Sequence, residues 1–501
     1  MGRIIETVKE GVSSYHKPQR NGAMVASILI PSAIGVFIML MAGMCLAVEP
    51  KEVWSKSYAG GIGDWGAGVA LDSSGNVYVA GITTDFLNAD FRTIKYDNAG
   101  NILWNKVFDG GNGDWAEGVA VDGSGNVYVH GYSDTGLNND YRTIKYNASG
   151  GIVWNKVYDA GGSDCGTGVA VDGVGNVYVT GESQNGLSLA FRTIKYDNAG
   201  NILWNKVFDS GNGDWAEGVA VDGSGNVYVT GGSDGGLYDV ARTIKYDNAG
   251  NILWNKVYDS GDEEHPYAIV VDRTGNVYIT GYSVRSTHTD IRIIKYDNSG
   301  NILWNKLYDS GGEDSASGIS VDSSGNVYVA GASVIGMGWD IRTIKFDSAG
   351  NILWNKVYDS GKRDAARGVA LDSSDNVYVA GSSEISSYWG FRTIKYSQTA
   401  VVLTETGILA APNTMSLSEP TEKVKIWLKG DKGGKTEILF YNSAGHFMGS
   451  SKVDLDASGN GSAEYGSEGI GGKRPAPGAY FAVGKGGGVS GKKKFFVLMK
   501  R

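Results

Sequence analysis

The sequence predicts an all-β chain: a seven-bladed β-propeller, with four antiparallel strands per blade and its ring closed by the N-terminal strand, followed by a small β-sandwich. Three observations carry this. A unit of fifty residues recurs without insertion or deletion, marked by Trp54, Trp104, Trp154, Trp204, Trp254, Trp304 and Trp354 and by Arg92, Arg142, Arg192, Arg242, Arg292, Arg342 and Arg392. A fixed period of this size signals a repeat architecture. Each unit holds four short runs of strand formers separated by turn residues. The copies are also out of phase with the chain, because a fourth strand comes first and a third strand comes last.

Residues 1–48 read as a signal peptide or an N-terminal membrane anchor. Arg3, Lys9, Lys17 and Arg20 precede an uncharged run from Ala23 to Val48, and a basic flank before an apolar run directs the remainder of a chain across a membrane. Cys45 and Ala47 suit cleavage after Ala47; left uncleaved, the run is long enough to span a bilayer. The expectation is an exported protein, extracellular, at the cell surface or periplasmic, touching a membrane only through this segment.

Residues 49–397 hold the repeats. In one copy, Gly118–Asp122 is a strand of small residues, as a crowded position near an axis requires. Asn126–Val129 alternates with period two, Arg142–Tyr146 is the third run, and Ile152–Tyr158 the fourth. Gly-Ser-Gly and Asn-Ala-Ser-Gly-Gly mark turns between them. The early strand Val53–Tyr58 is expected to complete the sheet that ends at Tyr396; Val401–Thr404 is its rival for that place. Closing the ring removes exposed sheet edges.

The recurring G-V-A-[VL]-D-x-x-G-N-V-Y-V-x-G resembles the β-propeller repeat of the SBBP family, related to NHL repeats, over about residues 53–396. That resemblance implies an exported or surface protein of bacteria or archaea. The stretch Asp97–Trp104 is similar to the Trp-docking hairpin of quinoprotein propellers and to the Asp-box of sialidases, in which it is structural.

The copies separate two faces. The turns of Asp-x-Ser-Gly-Asn and Asp-Asn-Ala-Gly-Asn type barely change, and antiparallel alternation puts both on one face. The other connections vary: Thr-Asp-Phe-Leu-Asn at 84–88, Arg-Ser-Thr-His-Thr at 285–289 and Ile-Gly-Met-Gly-Trp at 335–339. Loops on a rigid scaffold are where recognition sits. Phe86, Tyr238, His288, Trp339, Tyr388 and Trp389 are therefore the candidate exposed ligand contacts, with a glycan or an envelope protein as partner. One position on that face is nearly constant: Asp64, Asp114, Asp164, Asp214, Glu264, Asp314 and Asp364. Such a ring could attract a cation such as Ca²⁺; the preferred reading is a structural bidentate pair with the Arg of each repeat. Spacing of the D-x-D-x-D-G kind is absent, and no other cofactor is expected.

The net charge of −9 is uneven. Residues 401–501 carry a net +5, which leaves −14 on residues 1–400. An acidic body gives no support to a nucleic-acid partner, which needs a basic stripe, and none is expected. Cys45 and Cys165 cannot build a disulfide framework. His130, His265 and His288 each occur in one copy without a partner motif and read as solvated loop side chains. No nucleophile elbow, phosphate loop or zinc motif occurs. An axial site assembled from several blades would leave no trace in sequence spacing.

Residues 398–421 read as a linker and 422–501 as alternating strands between Gly-rich turns. Ile438–His446, followed by Pro475–Phe481, is similar to the immunoglobulin-like domain of flagellar hook-assembly proteins, which implies an Ig-like β-sandwich. The chain is expected to be a monomeric, non-enzymatic binding or adhesion protein. The alternatives are a propeller enzyme of quinoprotein or glycan-cleaving type and an envelope scaffold.

Overall fold

A computed structural model describes residues 49–85, 88–186, 188–285, 288–336 and 338–398, and the backbone of seven further strands between Thr414 and Lys500. The predicted leader 1–48, Phe86 and nearly all of the linker lie outside the described residues. Among the described residues, no helix is long and apolar enough to cross a membrane.

Seven four-stranded antiparallel sheets follow one another. The first runs through Gly63–Leu71, Val77–Thr84, Ala89–Tyr96 and Ile102–Phe108. Numbered in chain order, blades 2 to 6 begin at Asp114, Asp164, Asp214, Glu263 and Asp314. Blade 7 takes Asp364–Leu371, Val377–Ile385 and Tyr388–Ser397 from the end of the repeats, and its outer strand, Lys51–Tyr58, from the beginning. Trp54 pairs with Lys395 and Tyr58 with Phe391 in that closing ladder.

Each core lies between two blades rather than within one. Tyr78, Ala80 and Phe91 of blade 1 pack against Ala116, Val127, Val129, Ile144 and Tyr146 of blade 2. The seam of Val77, Val79, Ile94 and Tyr96 with Tyr378, Ala380 and Phe391 shuts the circle. The motif residues explain the seams. The Trp104 indole NH donates to the carbonyl oxygen of Ala148 in the next blade, at 3.1 Å, and Trp54 donates to Asn98 at 3.0 Å across the closure. In blade 7, Gln398 stands at the position of Asn98, and its Oε1 accepts from Trp354 at 3.3 Å. The Lys of each R-[TI]-I-K-[YF] lies 4.8–5.1 Å from the ring of the Tyr in the second strand, a cation–π contact. The constant turns have a local cause. Asp122 Oδ1 accepts the backbone NH of Ser124 and of Asn126, both at 2.9 Å, and its Oδ2 accepts the Tyr128 hydroxyl at 2.9 Å. A short carboxylate thereby folds its own backbone.

The innermost strands are longer than their composition predicts, beginning at Asp114 rather than Gly118 in blade 2. A β-bulge hides the extension: Ala116 pairs with Gly131 and Gly118 with His130, so Glu117 is left over. The same shift recurs in every blade. It requires the glycine that closes V-Y-V-x-G, since a Cβ on Gly131 would lie 1.9 Å from the carbonyl oxygen of Trp115. The third strands also begin early, at Asn139 in blade 2.

Beyond the propeller, Thr414–Leu417, Phe495–Lys500, Ala479–Gly486, Lys435–Asn442 and Phe447–Asp454 form a five-stranded sheet in that order, and Val424–Lys429 pairs with Asn460–Tyr465.

Candidate functional site at the propeller axis

The bulge leaves one residue per blade without a ladder partner: Ala67, Glu117, Thr167, Glu217, Tyr267, Ser317 and Arg367. Electrostatics group four of them, Glu117, Glu217, Tyr267 and Arg367, around the axis. Glu217 of blade 4 feels the charges of Glu117 in blade 2 and Arg367 in blade 7, and Tyr267 of blade 5 feels Glu217 and Arg367. Only the axis brings blades 2, 4, 5 and 7 within reach of one another. From the first inner-strand residue to the bulge is three residues, about 10 Å along a strand, so this layer lies just inside the variable face.

Around it the copies keep the glycine equivalent to Gly131 but differ at the position two before each bulge residue, which is Trp65, Trp115, Cys165, Trp215, His265, Ser315 or Ala365. Trp115 stacks on Tyr132 with ring centroids 5.1 Å apart, and His265 stacks on Tyr282 at 4.7 Å. Cys165 pairs across the ladder with Glu182. Burial, followed by the carboxylates Glu182 and Glu117, pushes Glu217 up to about 8; the Arg367 guanidinium opposes this shift. Burial raises Glu117 as well, again against Arg367, and raises Glu182. Burial and the neighbouring Glu182 charge hold Cys165 as a thiol, which makes it a poor nucleophile. At neutral pH, Glu217 is largely protonated and can donate a hydrogen bond, and Arg367 supplies a fixed cation. Aromatic faces lie beside them. This set suits a ligand carrying both hydroxyl groups and apolar C–H faces.

The sequence-chosen positions fall outside this layer. Tyr238 and Tyr388 are each 54% exposed. Trp339 and Trp389 belong to strands, not loops, paired with Val334 and Glu384, and both are half-buried. The Arg363 guanidinium lies 5.3 Å from the Trp389 ring. His288 is half-buried, with Nε2 3.4 Å from Asp290 Oδ1. His130 differs from the solvated loop residue expected: it is fully buried in a strand, its Nδ1 2.9 Å from Thr143 Oγ1. His265, also in a strand, lies 2.7 Å from Glu263.

The acidic ring is buried where each inner strand starts. Each aspartate turns Oδ2 to a backbone NH four residues earlier, at 2.6–2.8 Å in Asp64, Asp114, Asp164, Asp214, Asp314 and Asp364. Its link to arginine is not bidentate. In five blades a serine hydroxyl (Ser133, Ser183, Ser233, Ser333, Ser383) donates to the aspartate and accepts from the Nε of Arg142, Arg192, Arg242, Arg342 or Arg392. Blade 1 has Thr83 instead, and Arg92 Nε lies 3.9 Å from Asp64. In blade 5 the longer Glu264 reaches Arg292 directly at 3.3 Å. Each arginine also sits over an aromatic ring of the preceding blade at 4.7–5.5 Å, for example Arg142 over Phe108.

Comparison with known proteins agrees with this architecture. The family model described as "Beta-propeller repeat", SBBP, matches residues 159–187. The one described as "Outer membrane protein assembly factor BamB" matches residues 190–393. The chain is a seven-bladed β-propeller. No curated protein matches it. Among solved structures, the Neurospora crassa Pan2 WD40 domain is 10% identical, with 69% of this chain and 98% of that one covered and a TM-score of 0.44. Sqt1 from Chaetomium thermophilum is 13% identical, with 67% and 83% covered and a TM-score of 0.40.

Proposed function

We propose that this chain is an envelope-associated or exported binding protein whose propeller takes a glycan, or a similarly hydroxyl-rich group, at the axial layer beneath its variable face. The observation that carries the reading is the convergence of Glu117, Glu217 and Arg367 from three non-adjacent blades onto one axis, beside the Trp115–Tyr132 stack. The repeat scaffold stays constant while this layer differs from copy to copy, the pattern of a recognition site on a rigid support. The BamB-type match supports an envelope setting, and the predicted leader supports export. The Ig-like reading of the C-terminal strands makes that segment an attachment module.

The test is glycan-array binding by the full chain beside its Glu117→Gln, Glu217→Gln and Arg367→Ala variants. A saccharide hit weakened tenfold or more by Arg367→Ala supports the site. A hit indifferent to all three variants places recognition elsewhere and overturns it. A glycan-cleaving activity is the second reading, favoured by Glu217, because a carboxyl held near neutral pKa is what a general acid needs. Release of reducing ends from a bound glycan, lost in Glu217→Gln, would select it.

A further inference from the structure

We propose that three seams of the propeller, between blades 1 and 2, 2 and 3, and 6 and 7, each bind a divalent cation with the oxygen preference of Ca²⁺. At each seam, three carboxylates from two blades come together: Asp90, Asp109 and Asp114; Asp140, Asp159 and Asp164; Asp340, Asp359 and Asp364. One oxygen from each residue lies within 4.8 Å of the others. Oxygens on opposite sides of a Ca²⁺ ion, each about 2.4 Å from it, are about that far apart.

The second observation is the state of the buried member. Asp140 is only 3% exposed, its Oδ2 accepts the Thr135 hydroxyl at 2.6 Å, and its Oδ1 has no hydrogen-bond partner among the described residues. Asp90 is 8% exposed and its Oδ1 is likewise without a hydrogen bond. A buried carboxylate oxygen left bare beside two more carboxylates is costly unless a cation joins it. The nearest guanidinium is already engaged: Arg142 binds Ser133 and Asn155 and approaches Asp114 at 3.6 Å.

The other seams act as internal controls. The equivalent of Asp140 is Ala190, Val240 and Gly390 in three of them, so the triad is incomplete; in the second of these, Asp239 and Glu263 gather on His265 instead, at 4.0 and 2.7 Å. Between blades 5 and 6, Asp290 and Asp309 are retained, but Arg285 Nη1 lies 3.4 Å from Asp290 Oδ2 and His288 joins the group. There the protein supplies the cation itself.

The experiment is equilibrium dialysis of the EDTA-treated full chain against Ca²⁺ up to about 1 mM, the weak end for extracellular sites. Asp140→Asn and Asp209→Asn are dialysed in parallel, with thermal unfolding to confirm that each is folded. Asp209 occupies the place of Asp159 in a seam whose third member is Ala190. The expected result is three ions per chain, two in Asp140→Asn and three in Asp209→Asn, with Ca²⁺ raising the melting temperature of the wild type. No bound Ca²⁺, equal loss in both variants, or an unchanged count in Asp140→Asn would each overturn the proposal.

Discussion

The seams on the turn side and the axial layer are made by the same seven repeats, yet they behave as opposites. On the turn side, one contact set is copied around the ring: indole to carbonyl, lysine over tyrosine, aspartate around its own turn. At the axis, the seven equivalent bulge residues are two glutamates, an arginine, a tyrosine, a threonine, a serine and an alanine. Repetition therefore secures the ring, and departure from repetition builds the site. A residue present seven times must satisfy the same local geometry each time, whereas a residue present once is free to meet a partner from a distant blade.

The sharpest way to break this contrast is to truncate one tryptophan copied around the ring and one from the variable face. Trp354 is 4% exposed and its indole is hydrogen-bonded, so Trp354→Ala should cost about 4 kcal/mol in chemical denaturation. Trp389→Ala should cost under about 1 kcal/mol, because its described stacking partner is an exposed arginine. Equal losses would remove the distinction.

The next test concerns His130, a departure from repetition buried in a seam. Burial lowers it to about 3 from its ordinary 6.5. The folded state keeps it neutral while the unfolded chain takes up a proton below about pH 6.5, so stability falls as pH drops from there toward 3. His130→Thr, the residue found at Thr180, Thr230 and Thr280, should remove about 4–5 kcal/mol of that acid sensitivity, read as melting temperature against pH.

Glu217 gives the opposite slope. Its folded value of about 8 lies above the ordinary 4.5, so its contribution is full below pH 4.5 and is lost as pH rises through about 8. Glu217→Gln should flatten the wild-type decline over that window by about 4–5 kcal/mol. A decline that persists unchanged in the variant would remove the axial burial argument.

The smallest effect lies in the turns. Asp375 has φ +58° where the other six copies have glycine. Asp375→Gly should raise stability by about 0.5–1 kcal/mol in the same denaturation assay.

Much of this was legible before any fold was known. The fifty-residue period, the strand runs and the offset phase determine a seven-bladed ring and its closure by Val53–Tyr58, because hydrophobic alternation and turn chemistry are local and were written seven times. Which faces vary was equally readable. The axial layer was not. Glu117, Glu217 and Arg367 stand 100 and 150 residues apart, and the bulge that aims them is hidden by the small residues around it. The composition placed the start of the strand after the bulge, which made the residues before it look like loop. The recurring Asp and Arg predict a direct contact, while packing inserts a serine from the intervening strand. The sequence by itself determined what is periodic, since periodic features follow from local backbone preferences. Only the tertiary structure decided which unrepeated side chains share a charge environment, since ring closure alone sets the distances between blades remote in the chain.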